Sequence, residues 1–191
     1  MTVRLFSFLL LLSLLTVGCG KKSNATTDTA NAVLKINVDY EKQPGHGSNQ
    51  WAVWIEDNEG CIVKTLFVTR FTADGGYIPR PSCTPLWVSK ALPDNLSQEA
   101  IDAFSGATPS SGIQTYVWDI TDADGHAVAK GNYAIRVEAT LYGESEVVYK
   151  APISIGNKEW TLMLEPFYTS DDNTNRNMIR SVSADYLFDQ R

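Results

Sequence analysis

IQTYVWDITDADGHAVAKGNYAIRVEATLYG, residues 113–143, decides the fold class. Its second half alternates: Tyr133, Ile135, Val137, Ala139 and Leu141 share one face, and Arg136, Glu138 and Thr140 line the other. That period of two is the signature of a strand with one side buried and one in water. IQTYVWDI (113–120) precedes a TDADG turn, so the spacing predicts a hairpin with the strand at 132–143.

The same rhythm extends in both directions. VLKINVDY (33–40) alternates as a half-buried strand. QWAVWIED (50–57) is apolar on both faces and reads as a central strand, forming a hairpin through DNEG with CIVKTLFVT (61–69). EVVYKAPISIG (146–156) and KEWTLMLEPF (158–167) add two strands. A polar loop, TSDDNTNRN (169–177), leads to a last strand in MIRSVSADYLF (178–188). Short strands between Gly, Asp and Asn turns predict an all-β antiparallel β-sandwich over 33–167, with the additional C-terminal strand within 168–191.

Residues 70–105 break this pattern. Prolines at 79, 81, 85 and 93 predict a long Pro-rich loop, and a loop of that length is usually functional or disordered. NLSQEAIDAFSG then reads as one short helix. Asn95 is its expected N-cap with Gln98 in capping-box position, and Gly106 is the expected stop before Pro109.

The amino end carries its own signals. Arg4, an apolar run from Leu5 to Leu15 and small residues before Cys19 have the layout of a secretory signal. Cysteine after Val17-Gly18 resembles the lipobox of bacterial lipoproteins. That resemblance implies cleavage of residues 1–18, lipidation of Cys19, and a flexible tether over 19–32 holding the domain at the bacterial cell envelope, facing the periplasm. Loss of 1–18 leaves 15 basic against 22 acidic residues, a net charge of −7. Such a chain lacks the cationic surface that nucleic acid requires. Cys61 and Cys83 are then the remaining thiols and candidates for one disulfide; the sequence does not fix their separation.

Several chemistries find no support. There is no HExxH, GxSxG, CxxC or Cys/His cluster. Asp119, Asp122 and Asp124 lack calcium-loop spacing, so no metal is expected, and His46 and His126 read as surface residues. Among the five tryptophans, Trp87 stands in the irregular segment and is the candidate for flavin stacking or partner contact.

DAFSGAT (102–108) fits D-x-x-[S/T]-G-A-T. This resembles the acceptor motif of proteins that receive covalent FMN from an extracytoplasmic flavin transferase. The resemblance implies a phosphoester on Thr108, small Gly106 and Ala107 for close approach, and roles in the motif for Asp102 and Ser105. The stretch YVWDITDADGHAVAKGNYAIRVEA (116–139) resembles a hairpin of the Ig-like module in flagellar hook-capping proteins, a likeness of architecture alone. AVWIEDNEGCIVKTLFV (52–68), DAFSGATPSSG (102–112) and VWDITDADGHAVAKGNYAIRVEA (117–139) together resemble a family of predicted periplasmic proteins of unknown function, over roughly 34–156. Its members often occur beside flavin transferases and membrane redox proteins. Two expectations follow: a non-enzymatic carrier of covalent FMN in extracytoplasmic electron transfer, or a cofactor-free Ig-like binding or structural module of the envelope.

Overall fold

The computed structural model describes residues 32–171 and 176–188. The expected signal segment, Cys19 and nearly all of the expected tether lie outside the described residues. Among the described residues, ten strands form two sheets: β1 (Ala32–Tyr40), β2 (Gln50–Glu56), β3 (Ile62–Thr69), β4 (Ser105–Gly106), β5 (Gly112–Trp118), β6 (Gly131–Thr140), β7 (Val147–Ile155), β8 (Trp160–Leu164), β9 (Pro166–Tyr168) and β10 (Ile179–Phe188). One sheet has the order β5-β1-β10-β8 and the other β4-β3-β2-β6-β7-β9. Every pair is antiparallel except β3 with β4. This is an all-β sandwich.

Alternation builds the core. Leu34, Ile36, Val38 and Tyr40 of β1 point inward, as do Trp51, Val53 and Ile55 of β2 and Ile135, Val137 and Ala139 of β6. Each large apolar side chain buried this way contributes roughly 1.5–3 kcal/mol. β10 lies between β1 and β8, so the C-terminal strand is an interior member of its sheet.

The predicted second hairpin does not form. β5 pairs with β1 in one sheet, while β6 pairs with β2 and β7 in the other. The chain leaves β5 through Ile120, whose φ of 57° is left-handed and whose side chain is fully buried. That conformation costs about 1–2 kcal/mol, which burial of the isoleucine offsets. An isolated bridge, Thr121–Ala127, closes the Asp-Gly turn before the chain crosses to the second sheet.

The Pro-rich segment is a packed layer, not an open loop. A wide turn (Thr72–Gly76) is followed by α1 (Pro85–Ala91), a 3-10 turn (Pro93–Asn95) and α2 (Gln98–Phe104). Ala73, Trp87 and Ile101 pack on Ala52, Trp54 and Val68, forming a second core on the outer face of the six-stranded sheet. Gly76 permits the tight turn, since a Cβ there would lie 2.3 Å from the Phe71 carbonyl oxygen. This layer also overturns the expected wet face of β6: Glu138 and Thr140 are fully buried beneath it.

Two carboxylates tie the layer down. Glu138 accepts hydrogen bonds from the N–H groups of Leu86 and Trp87, both at 2.8 Å, and so satisfies donors at the start of α1. Glu56 accepts from Trp54 Nε1 at 2.9 Å and pairs with Arg136 at 2.9 Å and Lys90 at 3.0 Å.

The cap of α2 also differs from expectation. Ser97 Oγ accepts from Ala100 N–H at 3.2 Å, whereas Asn95 belongs to the preceding 3-10 turn. The helix ends at Phe104 because Ser105 turns extended and joins the edge of β3, with Val68 opposite Ser105 and Thr69 opposite Gly106. Edge pairing, not a left-handed glycine, terminates it.

Candidate functional site

The run 102–108 spans three kinds of backbone. Asp102 is on α2, Ser105 and Gly106 form β4, and Ala107 and Thr108 begin the loop that crosses from one sheet to β5 at the edge of the other. Residues 107–111 therefore bridge the two sheets along one open side of the sandwich.

Asp102 is exposed and bonded to Arg70, with Gln98 Nε2 at 3.1 Å. The Arg70 guanidinium, helped by Gln98, holds its carboxyl below the usual range. Arg70 directly follows β3, so the pairing that seats Gly106 also aligns Arg70 with α2. The Ser105 Oγ is buried and has no hydrogen-bond partner among the described residues. At Gly106 a Cβ would meet the Phe67 ring at 3.0 Å, which accounts for a residue without a side chain there. Phe67 stands 5.1 Å from Tyr116 between the two sheet edges.

Thr108 is half-buried, and its hydroxyl donates to the main-chain carbonyl of Asn49 at 3.0 Å. Asn49 is a buried hub. Its Oδ1 accepts from Tyr40 Oη at 2.9 Å and Gln43 N–H at 2.7 Å, and its Nδ2 donates to the Gln43 carbonyl at 3.0 Å. Lys42 N–H donates to Ser111 Oγ at 2.9 Å, a second tie between the same loops. Ala107, Ser110 and Ser111 are exposed on either side of Thr108. A hydroxyl in a surface loop, with Ala107 before it and Pro109 and two serines after it, is the group a phosphoester would need. The hydroxyl is less open than the sequence suggests, because it is already committed to Asn49.

Other expectations resolve differently. Trp87 is fully buried, with Nε1 donating to Thr65 Oγ1 at 3.1 Å and its ring edge-on to Phe104; it is core and cannot stack on a flavin. Cys83 is a free buried thiol, so Cys61 and Cys83 do not pair. Cys61 follows the β2–β3 turn near the Glu56–Ala134 pair, while Cys83 adjoins Thr84, whose N–H meets Thr140 beside Gln50. Six strand residues separate those points, about 20 Å, and a disulfide spans under about 7 Å between Cα atoms. Burial pushes the Cys83 thiol up.

Asp119 pairs with Lys64 at 2.9 Å. Asp122, Asp124 and His126 place ligand atoms within 4.8 Å of one another around the Asp-Gly turn. There Asp122 Oδ1 accepts the N–H groups of Asp124 and His126, both at 2.9 Å. They border a cleft of about 480 Å³. His46 is exposed and donates its N–H to Tyr142 Oη at 3.1 Å.

Sequence reasoning missed Asn49, Arg70, Glu56 and Glu138. Only Glu56 carried a signal, as an acid that follows Ala52 and Trp54 on one face of a central strand.

An all-β sandwich with a helical layer on one sheet and an edge-bridging Gly-Ala-Thr loop defines the class of the molecule. The chain belongs to the DUF2271 family of predicted periplasmic proteins, whose family model matches residues 31–165. No curated protein and no solved structure matches it significantly. Among the described residues no helix is long and apolar enough to cross a membrane.

Proposed function

We propose that this periplasmic protein is a lipid-anchored carrier of covalent FMN, attached at Thr108, rather than a catalyst. The supporting observation is the D-x-x-S-G-A-T run placed at a loop between sheet edges, its threonine hydroxyl flanked by exposed small residues. Asp102, fixed by Arg70 and Gln98, is a recognition point for the modifying flavin transferase. When bound, the flavin would supply reversible electron transfer. Cys19 with the tether would hold the carrier beside a membrane redox protein.

Coexpression with an extracytoplasmic flavin transferase tests the reading. The purified protein should be yellow, keep its flavin through denaturation, and yield a modified peptide containing Thr108. Colourless protein, in cells whose transferase loads a control acceptor, would sink it.

The helical layer supports a second reading. Ile78 and Leu92 on it are 70% and 56% exposed, as in a cofactor-free binding module that meets a partner through this face. A colourless protein that still requires Ile78 and Leu92 for function would favour that alternative.

A further inference from the structure

Esterification changes what the Thr108 oxygen can do. In the free protein Oγ1 is a donor, and its proton lies toward the Asn49 carbonyl at 3.0 Å. A carbonyl oxygen only accepts. Transfer of FMN from flavin adenine dinucleotide forms a Thr108 oxygen–phosphorus bond and breaks the pyrophosphate P–O bond. AMP departs with that electron pair, and the threonine proton passes to a base or to solvent. Nothing is oxidised or reduced. The product oxygen has no proton left and would face the carbonyl as acceptor against acceptor, with an anionic phosphate attached. Asn49 is only 2% exposed, so water cannot readily fill the gap.

We propose that loading Thr108 with FMN undocks residues 107–111 from Asn49, so that the apo protein keeps this loop latched and the loaded protein carries its cofactor on a released loop. The inference rests on the attachment reading above.

The surroundings suit such a change. The Asn49 side chain holds Tyr40 and Gln43 independently of Thr108, so the hub stays in place when the loop leaves. Gly112, at the far end of the loop, has φ 126° and open space where a Cβ would stand, and so supplies a hinge. Among the described residues, the other hydrogen bond from this loop to the 41–49 segment runs from Lys42 N–H to Ser111 Oγ at 2.9 Å. That amide reports directly on docking.

Hydrogen exchange at Lys42, resolved by mass spectrometry or NMR, tests the latch in wild type, T108V and FMN-loaded protein. A net hydrogen bond of about 1 kcal/mol corresponds to roughly fivefold in the opening equilibrium. Lys42 should therefore exchange at least roughly fivefold faster in T108V, which keeps the shape but loses the donor. It should exchange as fast or faster in loaded wild type, with the protection of β1 unchanged. Equal Lys42 rates in apo wild type and T108V overturn the latch, whether or not flavin attaches. Unchanged Lys42 protection in protein shown by mass to be loaded overturns it too. Failure to load with control acceptors modified defeats the attachment reading and the cofactor-driven release with it; the T108V comparison still decides whether the hydroxyl holds the loop.

Discussion

Glu138 Oε2 accepts the Trp87 N–H at 2.8 Å, joining the middle of one sheet to the first turn of a helix laid across it. The second oxygen takes the Leu86 N–H, so each carboxyl oxygen accepts from α1. Removing the side chain in E138A leaves the buried Trp87 N–H and the part-buried Leu86 N–H unmatched and should cost about 2–4 kcal/mol. The check is the urea midpoint, with W87A as companion at about 3–5 kcal/mol for loss of the second core.

Burial, reinforced by the neighbouring Glu146 carboxylate, pushes the Glu138 carboxyl well above its usual range. A raised carboxyl favours the folded state at acidic pH, and that contribution is lost as pH rises through the folded value. E146Q removes the like charge and lowers the Glu138 pKa. Its stability should match wild type near pH 4 and exceed it increasingly toward pH 8, by thermal melts in matched salt. A constant difference across that range would count against the coupling.

Glu56 has the opposite sign. Burial alone would raise its carboxyl, but hydrogen bonds from Lys90, Arg136 and Trp54 outweigh burial and hold it below the usual range. Its stabilisation is present above the unfolded carboxylate pKa and lost as pH falls through the folded one. E56Q should therefore be destabilised by about 2–4 kcal/mol at pH 7, because it leaves Arg136 and Lys90 without their partner. The deficit should shrink as acid protonates wild-type Glu56.

Asp102 and Arg70 are both substantially exposed. R70Q should change stability by less than about 1 kcal/mol, as exposed pairs do. If Asp102 guides the transferase, R70Q and D102N should each slow flavin loading by at least roughly tenfold, with T108V abolishing it. Initial rates of in-gel flavin fluorescence measure this.

Cys83 should resist alkylation in the native protein and react only after denaturation, since it is fully buried and its thiol is pushed up. Peptide mapping after a maleimide pulse distinguishes this from a disulfide, which would stay unlabelled in denaturant without reductant.

Strand positions were legible because alternation is local: β1, β2, β3 and β7 fall where period-two patterns place them. Pairing was not. The 113–143 stretch looks like a hairpin from its Asp-Gly turn, yet the left-handed Ile120 and the competing edges of β1 and β2 decide which sheet each half joins. The prolines at 79–93 hid a packed layer, because Trp87 and Ile101 find their partners on strands far away in sequence. At the candidate site the acceptor run was readable, but Asn49 contributes to it through a main-chain carbonyl. No residue type announces that role.

The seating of β10 between β1 and β8 has a consequence for biogenesis. Asn37 and Asp185 touch across 148 residues, so the four-stranded sheet stays split until β10 has been made. A nascent chain cut short before Ile179 would expose two naked strand edges to proteases and to sister chains. Closure of this sheet thus waits on the insertion of β10.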